Sequence, residues 1–257
     1  MKPTSLLLLI LAVAVLAPPT GAGVVPDKIH PLRPQAGSGG HRIPGVSCLS
    51  WRLAVETDNI RNWDVVPSVC ENYVGHQYRK DSNAVAWAAY QYAKGLTLKK
   101  DGKDVWIFDI DDTSLSNLPY YARPDNAFGA KEYNETTFTE WELEGKAPAL
   151  PATLGLYKRL LKLGFKIVFI SGKSESLRAI TIYNMKKVGY YTWEKLVLKQ
   201  ASESGTTAMV YKSTERTKLV QAGYRILGNM GDQWSDLMGT NIGNRTFKAP
   251  NPMFYIA

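Results

Sequence analysis

The first apolar run in the chain extends from Leu6 to Ala17, preceded by Lys2 and closed by the small residues Thr20, Gly21 and Ala22. That three-part pattern predicts a secretory signal peptide over residues 1–22, because about 12 apolar residues fall short of the roughly 20 that span a bilayer. From residue 23 to 45 Pro, Gly and His replace any apolar periodicity, and a low-complexity arm is expected there. The folded domain is expected over residues 46–257. Within it, Asn83 to Leu96 reads as a buried amphipathic helix. Val105–Phe108 and Phe165–Ile170 are short continuous apolar runs, as in strands buried on both faces of a parallel sheet. Between them, Ala152 to Leu163 presents Leu156, Leu160 and Leu163 on one helical face and stops at Gly164. Helix at Ser174–Val188, strand at Lys195–Leu198, helix at Thr214–Ala222 and strand at Tyr224–Leu227 complete the alternation. The predicted class is therefore α/β, a Rossmann-like parallel sheet with helices on both faces. Residues 114–151 break the pattern with aromatics, Pro119, Pro124 and acidic residues; too long for a connection, they read as a small cap.

Composition narrows the chemistry. With 257 residues, 45% of them hydrophobic, one main domain is expected. Of the three histidines, His30 and His41 fall in the arm and only His76 in a folded stretch, which disfavours multi-His metal hydrolases and His-nucleophile phosphatases. Neither Cys48 nor Cys70 has the Arg six residues on that a cysteine-phosphatase loop needs. In an oxidising compartment these two cysteines are expected to form a disulfide. Asn134-Glu135-Thr136 and Asn244-Arg245-Thr246 are N-glycosylation sequons. The net charge of +8, or +7 without Lys2, is scattered through groups such as Lys99/Lys100/Lys103 and Lys158/Arg159/Lys162. A solvated surface explains it; no nucleic-acid partner is expected, and no membrane association after signal removal. Trp51, Trp63, Trp87 and Trp106 are read as core, and Tyr120 and Tyr121 as lining the cap.

Ligands in such folds bind beyond the carboxyl ends of the strands. That rule selects Asp109-Ile-Asp111-Asp-Thr113 after the first strand, Ser171 after the second, Lys212 near the third helix, and Gly231-Asp232-Gln-Trp-Ser-Asp236 after the fourth. Carboxylates gathered on one rim repel one another unless a hard divalent cation binds them, and Mg²⁺ suits oxygen donors. Asp109 through a carboxylate oxygen and Asp111 through its backbone carbonyl are expected to hold the metal. A carboxylate oxygen of Asp109 can then attack phosphorus while Asp111 protonates the leaving oxygen. Lys212, Ser171 and Thr113, through its backbone and hydroxyl, supply charge and donors for the transferring phosphoryl oxygens. Lys199 and Lys218 are rivals of Lys212.

These ordered motifs resemble the haloacid dehalogenase superfamily. Further segments are similar to the plant acid phosphatase and vegetative storage protein family, a class B-type acid phosphatase group: Cys48-Leu-Ser-Trp-Arg, Leu115-Ser-Asn-Leu-Pro-Tyr-Tyr121, Tyr211-Lys-Ser, Gly228-Asn-Met-Gly-Asp-Gln-Trp-Ser-Asp236 and Pro250-Asn-Pro-Met-Phe-Tyr-Ile. The resemblance runs from about Val46 to the C-terminus. It implies a haloacid dehalogenase-like fold, Asp109 as nucleophile, Asp111 as general acid and base, Asp232 as metal ligand supported by Asp236, and Ser171 and Lys212 as phosphate ligands. The implied activity is a Mg²⁺-dependent acid phosphatase of the secretory pathway, in the cell wall, extracellular space or vacuole, acting on small phosphomonoesters. The alternative it implies is a nitrogen-storage protein with a vestigial site. Fold-level analogy also admits a homodimer. Two departures stand out: Asp112 replaces the family's Glu, and Lys173 stands where Arg is usual.

Overall fold

The computed structural model describes Leu53, Glu56, Thr57 and residues 76–256 other than Ala130. The signal-like segment, the arm, Trp51, Trp63, Cys48 and Cys70 lie outside the described residues. Helix α1, Gln77–Lys94, begins six residues before the periodicity suggested, because Tyr78 and Ser82 extend the buried stripe of Ala86, Ala89 and Ala93 by another turn and a half. Strand β1, Asp104–Phe108, follows. Beyond it come α2, Leu118–Tyr121, and α3, Glu135–Glu144. Then α4, Pro151–Leu163, leads into β2, Lys166–Ser174, α5, Arg178–Val188, and β3, Lys195–Lys199. The chain ends with α6, Ala208–Gln221, β4, Arg225–Gly231, α7, Trp234–Leu237, and β5, Thr246–Lys248.

Among the described residues the five strands are all parallel, in the order β3-β2-β1-β4-β5. Side chains on a strand alternate between faces, so the apolar runs feed two cores. Trp106, Phe108, Ile167, Phe169 and Met230 pack with Ala89 of α1, Leu160 of α4 and Met185 of α5. Val105, Ile107, Val168, Ile170 and Ile226 pack with Tyr211 and Leu219 of α6. Burial on both faces is why these segments lack an alternating pattern. Gly228 is required for close packing, since a Cβ there would collide with the Trp106 indole. From β1 the chain steps outward to β2 and β3, then returns past β1 to β4; this reversal opens a crevice at the carboxyl ends of β1 and β4.

Residues 115–150 leave and rejoin the domain at one point: Leu115 bridges both Asp111 and Ala149, and Leu150 N donates to Ser114 O at 3.0 Å. Inside this excursion Tyr120 packs edge-on against Phe138 at 5.1 Å and against Tyr121 at 5.2 Å. Helix α3 starts where Asn134 accepts from Thr137 N and stops at Gly145, whose φ of 57° is left-handed.

Three expectations are corrected. Leu163 is 36% exposed; the buried residues of α4 are Thr153, Leu156, Tyr157 and Leu160, and Leu163 is the last residue of the helix before the Gly164 cap. Trp87 is 55% exposed on α1, beneath the Arg159 guanidinium, so it is not core. The helix expected at Ser174 begins with a short 3-10 turn over Glu175–Leu177. Strand β5, three residues long and two of them polar, carried no apolar run; pairing with β4 makes it a strand. Among the described residues no helix is long and apolar enough to cross a membrane.

Candidate active site

Where β1 runs out, Asp109 N still donates to Met230 O of β4 at 3.0 Å, which fixes the Asp109 carboxylate at the crevice. The chain then turns through Asp112, whose φ of 56° is left-handed, a conformation Asp tolerates better than most residues. Asp112 is held there as its Oδ1 accepts from Asn117 N at 2.9 Å and its Oδ2 from Asn117 Nδ2 at 3.2 Å. The turn separates the first two acidic side chains of the motif.

Asp109 meets the β4 motif. One carboxylate oxygen from each of Asp109, Asp232 and Asp236 lies within 4.8 Å of the others, and all three residues are buried. Lys212 of α6 pairs with Asp109 at 2.9 Å and also with Asp236. Helix α6 begins at Thr207, whose hydroxyl accepts from Val210 N, and therefore carries Lys212 within its second turn. Lys199 donates instead to Thr206 O, and Lys218 pairs with Glu215, so among these three lysines only Lys212 reaches the acidic cluster.

Burial, then the neighbouring carboxylates, push Asp109 well above the usual carboxylate range against the pull of Lys212. Asp232 is raised by burial and by Asp236. Lys212 is shifted the other way: burial disfavours its charge, but Asp109 and Asp236 outweigh that and hold it protonated. Three buried carboxylates facing one ammonium leave negative charge uncompensated, and oxygen is the only donor they offer. The set fits a hard divalent cation such as Mg²⁺. Asp232 is aimed by three donors: Thr113 Oγ1 at 2.9 Å, Gln233 Nε2 at 2.7 Å and Asn251 Nδ2 at 2.8 Å. Gly231 makes room for this arrangement, because a Cβ there would collide with Asp236. Arg216 of α6 binds the carbonyls of Asp236, Met238 and Thr240, and burial pulls its guanidinium down to about 10.

Asp111 turns away from this cluster. Its Oδ1 accepts from Asn117 Nδ2 at 3.1 Å and pairs with Lys173 Nζ at 3.1 Å, while Ser171 Oγ lies 3.5 Å from its Oδ2. Lys173 also pairs with Glu142 of α3. The structure thus brings Asp109, Lys212, Asp232 and Asp236 together and sets Asp111 beside Ser171 at the same rim. Asp236, expected only to support, supplies a carboxylate oxygen to the cluster. The Thr113 hydroxyl, expected to face phosphate, donates to Asp232 instead. Asn134 and Asn244 are exposed. Sequence reasoning assigned no role to Asn117, Gln233 or Asn251, although each lies in a family-like segment. It also missed Trp141, Glu142 and Arg216, which carry no motif.

A family model described as HAD superfamily, subfamily IIIB (Acid phosphatase) matches residues 36–257. Acid phosphatase 1 of Solanum lycopersicum is 44% identical over 216 residues, covering 82% of this chain and 84% of that protein. Vegetative storage protein 1 of Arabidopsis thaliana is 42% identical over 272 residues, covering 100% of this chain and 99% of that protein. The class C acid phosphatase from Bacillus anthracis has the same fold, with a TM-score of 0.52 at 24% identity, over 67% of this chain and 79% of that one. The chain belongs, accordingly, to the acid phosphatases of subfamily IIIB in the HAD superfamily.

Proposed function

We propose that the protein is a secreted or vacuolar, Mg²⁺-dependent acid phosphatase that hydrolyses small phosphomonoesters through an aspartyl-phosphate on Asp109. The observation that carries the reading is the division of labour at the rim: Asp109 sits with Asp232 and Asp236, whereas Asp111, two residues on, faces Ser171 and Lys173. Asp109 and Asp232, with the Asp111 carbonyl and Asp236, would hold the cation. Bound there, Mg²⁺ would supply charge neutralisation for the carboxylates and the phosphoryl group. An oxygen of Asp109 attacks phosphorus as the ester P–O bond breaks, and the Asp111 carboxylic acid passes its proton to the departing oxygen. Asp111, now a carboxylate, takes a proton from water whose oxygen attacks phosphorus; the bond to Asp109 breaks and inorganic phosphate leaves. Because Asp111 must be protonated first and ionised afterwards, mildly acidic pH suits the cycle. Lys212, Ser171 and the Thr113 backbone bind the phosphoryl oxygens, Lys212 exchanging part of its pairing with Asp109 for phosphate. The same reading includes a Cys48–Cys70 disulfide and glycans on Asn134 and Asn244.

The 42% identity to a vegetative storage protein supports a second reading, accumulation as a nitrogen store with weak turnover. Retention of Asp109 favours the first. With 4-nitrophenyl phosphate and Mg²⁺, Asp109→Asn should fall below about one-thousandth of wild-type kcat. Equal activity in the two proteins would exclude the aspartyl-phosphate route, and negligible wild-type activity would favour storage.

A further inference from the structure

Asp111 is held by two bridges that both lead to neighbouring residues on the cap helix α3. The first runs from Trp141, whose indole Nε1 donates to Asn117 Oδ1 at 2.9 Å. Because Asn117 Oδ1 accepts that bond, its NH₂ must face the other way, where it donates to Asp111 Oδ1 and Asp112 Oδ2. The second runs from Glu142 to Lys173 and on to the same Oδ1 of Asp111. All these side chains are sheltered: Asn117 and Trp141 are buried, and Lys173 and Glu142 are only 6% and 10% exposed. Two N–H donors therefore occupy Oδ1, while among the described residues Oδ2 has only the Ser171 hydroxyl, at 3.5 Å.

We infer that Trp141 and Glu142 are positioning residues which, through Asn117 and Lys173, orient Asp111 so that its Oδ2 carries the proton to the leaving group. The inference rests on the proposed role of Asp111 as acid and base. In the first half-reaction the Oδ2 proton moves to the ester oxygen as its bond to phosphorus breaks; in the second, water returns a proton to Oδ2 as its own oxygen bonds phosphorus. Neither positioning residue touches the reacting atoms. The cap thereby acts on proton transfer as well as on access to the crevice.

Leaving groups separate this role from mere loosening of the fold. 4-Nitrophenolate departs with little protonation, whereas the alkoxide of glycerol 2-phosphate needs it, so loss of an oriented acid falls on the alkyl ester. The test compares kcat/KM for both substrates in wild type, Asp111→Asn, Trp141→Phe and Glu142→Gln. Trp141→Phe keeps an aromatic ring but removes the indole N–H donor together with the second ring, a packing loss that falls on both substrates alike; Glu142→Gln keeps the shape and removes the charge. Each should lose about tenfold more activity on glycerol 2-phosphate than on 4-nitrophenyl phosphate, in the same sense as Asp111→Asn but to a smaller extent. The double variant should show a larger selectivity than either single one. Selective loss in Asp111→Asn alone, with equal losses on both substrates in the cap variants, would overturn the positioning role and leave the phosphatase reading intact. No selectivity in Asp111→Asn would remove Asp111 as the acid and the positioning role with it.

Discussion

Gly231 ends β4 directly against Asp236, and its missing side chain lets that carboxylate reach Asp109 and Asp232. An alanine there would displace Asp236 rather than the tip of a flexible chain. Gly231→Ala should therefore lower stability by about 1–3 kcal/mol through overpacking and, under the proposed Mg²⁺ dependence, weaken activation by the ion about tenfold, read from a denaturation curve and a Mg²⁺ titration of activity. A variant matching wild type in both would show that Asp236 has slack. At this scale the sequence was legible where chemistry and short spacing coincide, as in Asp109 and Asp111. It was silent where an ordinary residue is recruited by tertiary contact: Asn117 looks like any turn asparagine until Trp141 locks its amide.

The elements were legible because strands buried on both faces and helices stopped by glycine leave local traces. Helix α6, like α1, starts six residues earlier than expected: Met209 and Val210 are exposed apolar residues that blurred the stripe, while Thr207 supplied the cap. Helix α4 carries Gly155 in its interior, where an added Cβ would meet nothing within 4 Å. Gly155→Ala should stabilise the protein by about 0.5–1 kcal/mol, since alanine loses less backbone entropy on entering a helix. A higher unfolding midpoint with unchanged activity is expected; a lower one would mean that α4 cannot accept the methyl. Helix α3 is the element whose importance no local signal gave away. Its amphipathic trace is weak because Trp141 and Glu142 serve different partners, one aromatic and one ionic.

Across the whole domain, the amino ends of the central strands carry a second charge cluster, at the opposite ends of β1 and β4 from the acidic motifs. Arg225 at the start of β4 pairs with Asp104, its register partner on β1, at 2.6 Å and grips both oxygens of Asp101 at 2.5 and 3.0 Å. Hydrogen bonds from Arg225 and the Lys103 amide lower Asp101 to about 2. Burial raises Asp104, but Arg225 and the Lys99 amide outweigh it, and the net direction is down. Since both folded values lie below the unfolded carboxylate value of roughly 3.9, this contribution is complete above about pH 5 and fades as pH falls toward 2. Arg225→Ala should therefore unfold more easily than wild type at pH 6, and the two denaturation midpoints should converge below about pH 3. A constant gap across that range would assign the loss to packing of the arginine stem.

By itself the sequence determined the alternation of strands and helices, their parallel arrangement, the excursion between β1 and α4, and the gathering of acidic motifs at strand ends. Apolar periodicity and the handedness of crossovers are local or topological constraints that a chain cannot hide. The tertiary structure alone decided the strand order, the burial of Thr113's hydroxyl against Asp232, the inclusion of Asp236 in the carboxylate cluster, and the bridges from the cap to Asp111. Those choices depend on contacts between distant segments, Thr113 and Asp232 being 119 residues apart, and on which side chain reaches a shared oxygen first. Distances of that kind are set by how helices pack on a twisted sheet and by no spacing along the chain.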